Sequence, residues 1–147
     1  MDFTDTTFSF KIANSESSIP LGIRIQFDKN IIYENAHITD SVIISHVLNN
    51  TVDGDHTLDI EMFGKLPEHT KINQIGEITQ DASLTITDML LDDIVITPIV
   101  NSLAEYRHDF NGSQPPTVAK FYSEMGCNGT VSLKFTTPVY LWLLENM

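Results

Sequence analysis

Five histidines, His37, His46, His56, His69 and His108, and one cysteine, Cys127, are the side chains able to act as bases, metal ligands or nucleophiles. None of the histidines falls in HxxxH, HExxH or HxH spacing, the patterns that put two imidazoles on one face of an element. Cys127 lies in Gly126-Cys127-Asn128-Gly129, a turn composition with no helix N-terminus to lower a thiol pKa. A GxSxG elbow is absent, as are the phosphate-cradling GxGxxG and GxxxxGK[ST] patterns. These residues predict no catalytic constellation.

Hard oxygen ligands do cluster, at Asp53-Gly54-Asp55 and at Asp88 with Asp92-Asp93. Calcium takes six to eight such oxygens, but the EF-hand spacing is not met, and Asp-Gly is also a hairpin-turn signal. Sugar binding needs an aromatic surface beside hydrogen-bonding groups, for which Tyr33, Tyr106, Tyr122 and Trp142 are the available rings. The densest mixture of the two is Tyr106-Arg107-His108-Asp109-Phe110-Asn111-Gly112, which makes Tyr106, His108, Asp109 and Asn111 the candidate ligand-binding residues.

The chain that must position them has 147 residues, enough for one domain spanning 1–147 that buries roughly two-thirds of its unfolded surface. A single cysteine excludes an internal disulfide, so packing must supply the stability. The formal charge of -12 repels phosphate backbones and anionic lipid, which argues against nucleic-acid and membrane partners. The start, Met1-Asp2-Phe3-Thr4-Asp5, lacks the basic and apolar regions of a signal peptide. The longest apolar runs, such as Val139-Leu144, fall well short of the roughly 20 residues that span a bilayer.

Hydropathy alternates with period two along most of the chain. Leu58, Ile60 and Met62 share one face of Gly54-Phe63, with Thr57, Asp59 and Glu61 on the other, the pattern of a half-buried strand. The same alternation predicts strands over 7–13 and at Leu21-Phe27, the latter with Arg24 and Gln26 outward and turning at Asp28-Lys29-Asn30 into Ile31-Glu34. Ile38-Leu48 is apolar on both faces and predicts a central strand. Leu66-Asp81 is a long excursion with a short hairpin around Asn73-Gly76, and Leu84-Thr87 and Leu91-Thr97 are two strand segments broken near Asp92-Asp93. Tyr106-Phe110 and the run through Val131, Leu133 and Phe135 are further strands.

Val118, Phe121 and Tyr122 at helical spacing after Pro116 predict one short helix over Thr117-Glu124. Val139-Leu144 is apolar on both sides of a strand and predicts a buried terminal strand. One of its faces would pack on the core and the other, Tyr140, Trp142 and Leu144, against a second sheet or a neighbouring copy. The whole reads as an all-β antiparallel sandwich, with turn signals every eight to twelve residues or so.

Two resemblances follow. Gly54-Phe63, Asp81-Ala82-Ser83-Leu84-Thr85-Ile86 and Asp92-Asp93-Ile94 resemble in layout the calcium-dependent xylan-binding modules, which implies a jelly-roll, carbohydrate-binding-module-like sandwich. That family's Asn-Asp after the first strand is Gly64-Lys65 here, and its Arg-Asn is Ala82-Ser83, so only Asp81 carries over. With Asp92 and Asp93 it completes the candidate metal ligands, and calcium is the implied ion, although these departures predict that no tight site survives. The blocks Gly64-Lys71, Tyr106-Gly112, Met125-Pro138 and Tyr140-Asn146 resemble small uncharacterised proteins of T4-like tailed phages of marine cyanobacteria. This second resemblance implies a virion component made in the host bacterial cytoplasm, with other virion proteins or copies of itself as partners.

The expected function is therefore a non-enzymatic, virion-associated structural or accessory protein. The alternative is a glycan-binding module that recognises host surface polysaccharide, with or without calcium.

Overall fold

The computed structural model describes residues 6–48, 54–66, 70–108, 115–137 and 139–146. Among these residues the chain forms β1 (Thr6–Asn14), β2 (Leu21–Phe27), β3 (Asn30–Ile38), β4 (Ser41–Leu48), β5 (Gly54–Phe63), β6 (Lys71–Ile72), β7 (Ile78–Gln80), β8 (Leu84–Leu91) and β9 (Ile94–Val95). These are followed by α1 (Thr97–Leu103), β10 (Glu105–His108), β11 (Thr117–Lys120), β12 (Glu124–Met125), β13 (Gly129–Thr137) and α2 (Val139–Asn146).

Two antiparallel sheets face each other. One runs β12-β8-β1-β4, with β9 also paired to β8; the other runs β11-β10-β13-β5-β2-β3; β6 and β7 form a separate hairpin. Phe8, Phe10, Ile12, Leu84 and Ile86 from the first sheet and Ile23, Ile25, Leu58, Ile60, Met62, Val131 and Leu133 from the second belong to one buried cluster. The expected sandwich is thus the observed fold. β5 lies inside the six-stranded sheet between β13 and β2, and its alternation is as read: His56, Leu58, Ile60 and Met62 point inward, while Thr57, Asp59 and Glu61 point outward.

Two hairpins close on aspartates. Phe27 pairs with Asn30 around Asp28 and Lys29, and Leu91 pairs with Ile94 around Asp92 and Asp93; all four turn residues have positive φ. Two central residues in the left-handed region define the turn whose twist matches that of the flanking strands. Asp adopts that region more readily than most side chains do.

Four expectations are overturned. Thr117–Lys120 is strand, not helix: β10 offers an open hydrogen-bonding edge, and Tyr106 pairs with Ala119. An isolated two-turn helix has no comparable gain, because its nucleus is costly. Ile38-Leu48 is not one central strand, since β3 ends at Ile38 and β4 lies at a sheet edge with Ile43 76% exposed. The segment after Asp93 is strand only to Val95, and α1 then begins with Pro98 in its first turn, where a missing N–H costs no hydrogen bond. Val139–Asn146 is a helix, which buries Val139, Trp142 and Leu143 at i, i+3 and i+4. Among the described residues no helix is long and apolar enough to cross a membrane.

Candidate functional site

Strand pairing lays the outward side chains of the six-stranded sheet in rows. Arg107 on β10 faces Thr130 on β13, then Glu61 on β5, Arg24 on β2 and Glu34 on β3. The next row is Glu105, Ser132, Asp59 and Gln26. Between these rows lies a depression of about 310 Å³ lined by Arg24, Gln26, Asp59, Glu61, Arg107, Thr130 and Ser132. Two adjoining hollows share Arg107, one reaching Phe63, His108 and Pro116, the other Leu103 and Lys134.

The polar groups of this face are held in register by one another. Arg24 is clamped between two carboxylates, with its Nε 3.1 Å from Glu34 Oε2 and its NH1 group donating to Glu61 Oε1 at 2.8 Å. Hydrogen bonding to Glu34 first, and then to Glu61, raises its pKa further, so it is charged throughout the accessible pH range. The Arg24 guanidinium also lies 4.9 Å from the centre of the Phe63 ring, within cation–π range. Ser132 Oγ donates to Asp59 Oδ1 at 2.5 Å. Arg107 is different: its side chain is 67% exposed and its nearest carboxylate, Glu105, stands 3.7 Å away, beyond a hydrogen bond. Both arginines of a chain of charge -12 therefore line the same hollow, one fully engaged and one with donors turned to solvent.

The candidate residues read from sequence are dispersed. Tyr106 is not a surface ring. It points inward at 6% exposed, donates its hydroxyl to the Cys127 carbonyl and accepts the Cys127 N–H at 3.0 Å. Burial pushes its phenol well above the ordinary value. The His108 ring lies tilted against Tyr106 with centroids 4.6 Å apart and borders the Phe63 hollow. Asp109 and Asn111 lie outside the described residues. Trp142 is buried against Phe135, whereas Tyr140 and Leu144 are exposed on the outer side of α2.

The three candidate metal ligands do not converge. Asp81 precedes β8 and Asp92-Asp93 follows it; eight residues at about 3.3 Å each put roughly 25 Å between them. Asp81 Oδ1 is already occupied by Lys65 Nζ at 2.6 Å, Thr70 Oγ1 at 2.7 Å and the Ala82 N–H at 2.9 Å. Asp92 Oδ1 accepts the Thr7 N–H at 2.7 Å, and Asp93 is exposed in the hairpin turn. Among the described residues no group of three or more His, Cys, Asp or Glu side chains is placed to hold a metal ion.

The sheet-face residues were missed as a site, although Arg24, Gln26, Asp59 and Glu61 were read as outward. Their convergence depends on pairing β5 with β13, more than 60 residues away, which no local pattern announces.

No family model matches the sequence, and no curated protein is recognisably similar to it. Two solved structures share its fold. One is vCBM60 in complex with galactobiose, with a TM-score of 0.52 at 7% identity, covering 86% of this chain and 95% of that one. The other is a selenomethionine form of vCBM60, described with a circular permutation linking two families of calcium-dependent carbohydrate-binding modules. Its TM-score is 0.53 at 6% identity, covering 86% of this chain and 88% of that one. The chain therefore has the sandwich fold of carbohydrate-binding modules. Among the described residues no group of three or more acidic, histidine or cysteine side chains gathers at Asp81 to serve the calcium dependence named for those families, and Lys65 Nζ lies 2.6 Å from Asp81 Oδ1.

Proposed function

We propose that the protein is a non-catalytic glycan-binding module whose sugar face is the outer surface of the six-stranded sheet. The observation that carries this reading is the depression between Arg24, Asp59, Glu61, Arg107, Thr130 and Ser132. Carboxylate and amide oxygens there accept hydrogen bonds, arginine and hydroxyl groups donate them, and sugar hydroxyls require both. Phe63 on the rim adds an apolar plane of the kind that packs on a pyranose C–H face. The hollow's volume is at the low end for small-ligand sites, about 300 to 1,000 Å³, which suits one or two sugar residues. The fold shared with vCBM60, including its galactobiose complex, supports the same class of ligand.

The test is calorimetry and a glycan array of neutral oligosaccharides, galactobiose included. The expected result is binding that Arg107→Ala and Asp59→Ala each weaken at least tenfold without lowering the melting temperature, with the glycan recovered intact. Binding that neither substitution touches, or turnover of the sugar, would overturn it.

A second reading, a structural subunit of a phage particle, is favoured by the apolar outer side of α2, where Tyr140, Leu141 and Leu144 are 56%, 58% and 74% exposed. Neighbouring copies in an assembly would cover it. Peptide mass spectrometry of purified particles tests that reading directly.

A further inference from the structure

Lys65 is among the most buried residues of the molecule, with its side chain 1% exposed, and its position breaks the alternation of β5. Phe63 points outward, so unbroken parity would turn Lys65 outward too. Gly64, at φ +86, resets the chain and sends Lys65 inward. Lys65 Nζ lies 2.6 Å from Asp81 Oδ1 and donates to the Gly126 carbonyl at 2.5 Å. Its backbone is clasped in both directions by Asn128, whose Oδ1 accepts the Lys65 N–H at 2.9 Å and whose Nδ2 donates to the Lys65 carbonyl at 2.8 Å.

One ammonium thus joins three segments distant in sequence: the end of β5, the approach to β8 and the turn before β13. The oxygens around it, a carboxylate and a backbone carbonyl, are the hard donors that a cation such as calcium selects. Among the described residues Asp81 is the carboxylate paired with this ammonium, so a single positive charge balances it. A divalent ion in its place would leave an uncompensated charge where the lysine side chain is 1% exposed, even though Asp81 itself is 39% exposed.

We propose that the Lys65 ammonium is the resident cation of this junction, filling the structural role of a bound metal ion, so that the folded protein needs no calcium. The Asp81 carboxylate is correspondingly well held. Burial pushes its pKa up, but the bonds from Lys65, Thr70 and the Ala82 N–H more than offset this and leave it below its ordinary value.

The experiment is thermal melting of the full chain in chelator and in millimolar calcium, beside two substitutions. The wild-type midpoint should be the same in both solutions, and Lys65→Met, which keeps the stem and removes the charge, should melt several degrees lower. A wild-type midpoint that rises by several degrees in calcium and falls again with chelator would overturn the proposal, as would Lys65→Met melting with the wild type. Should Lys65→Met fail to fold, the same question is put to Asp81→Leu and the double variant Lys65→Met/Asp81→Leu. A buried ammonium stripped of its counter-charge should make Asp81→Leu melt lower than the double variant, and equal midpoints would sink the idea.

Discussion

The Nδ1 atom of His56 lies 2.6 Å from Asp28 Oδ2, joining the inward face of β5 to the β2–β3 turn across 28 positions of sequence. The imidazole stacks on Phe27 with ring centres 5.2 Å apart and meets Phe135 at a tilt with centres 5.8 Å apart, and Asp28 Oδ1 also accepts the Thr57 N–H at 2.9 Å. A turn carboxylate thus anchors the hairpin to the strand beside it.

Asp28→Asn preserves the size of the side chain and its tolerance of positive φ, so it isolates the charge. Burial pushes the Asp28 pKa up, but the His56 hydrogen bond, the Thr57 N–H and the His56 charge outweigh it and hold the carboxyl below its ordinary 3.8. A lowered carboxyl pKa contributes stability that is complete above the unfolded value and is lost as pH falls through the folded one. The variant is expected to be about 1 kcal/mol less stable at neutral pH, the bond being partly exposed, and the gap should close below about pH 4. Urea melts from pH 7 to pH 2.5 check this; a gap that stays constant with pH would contradict it.

Gly22 is set by close approach. A Cβ there would fall 2.4 Å from Cε2 of Phe63, whose ring lies across β2 opposite Gly22 and carries the Arg24 guanidinium. Gly22→Ala should displace the ring and cost roughly 1 to 3 kcal/mol. Adding Phe63→Ala should restore much of that loss, because it removes the obstructing group. Chemical denaturation of the single and double variants measures the coupling, and purely additive losses would show that the ring is not the obstacle.

The Tyr106 hydroxyl both donates to and accepts from the Cys127 backbone, so Tyr106→Phe leaves a carbonyl and an N–H without that partner. The expected loss is about 1 to 3 kcal/mol. Because burial raises the folded pKa above the ordinary 10.0, the unfolded chain releases this proton first and stability declines as pH rises past that value. The decline should be shallower in Tyr106→Phe. Absorbance titration should show one of the four tyrosines ionising only when the protein unfolds in alkali.

Much of the fold was legible because period-two alternation is local: β1, β2, β5 and β13 follow directly from it. The hairpin at Asp28 was legible for the same reason, as a turn needs only its own residues, whereas Asp92-Asp93 was legible as a break in the strand and not as the hairpin of β8 with β9. Segments whose state is decided by a neighbour were not. Thr117-Lys120 has helical spacing but takes the edge of β10, and Val139-Leu144 suits either period until Phe135 supplies the surface for Trp142. Among site residues, the cluster around Tyr106 holds one member of the observed hollow, Arg107, and the ring beside it is not part of that hollow. In a strand the two neighbours point to opposite faces, so the buried tyrosine and the exposed arginine exclude each other as partners.

The helix α2 separates a residue that holds the fold from residues that can serve another surface. Val139, Trp142 and Leu143 are buried, and Trp142 meets the Phe135 ring edge-on with centres 6.0 Å apart. Tyr140, Leu141 and Leu144 lie on the outer side and are each more than half exposed. Truncating Trp142 to Ala removes a buried aromatic and should cost roughly 3 to 5 kcal/mol. That is a large part of the about 5 to 15 kcal/mol that holds a domain together. Leu144→Lys removes no packed surface and should stay within about 0.5 kcal/mol of the wild type. Since Trp142 is the sole tryptophan, its emission reports the docking of α2 without labelling. Emission should be blue-shifted in the native protein and unchanged in Leu144→Lys, and should move to the red as denaturant undocks the helix. Light scattering on the same samples then tells whether the outer side joins copies: a mass that falls in Leu144→Lys while emission and stability hold would identify α2 as an interface. Emission that reddens in Leu144→Lys would instead contradict the burial pattern of the helix.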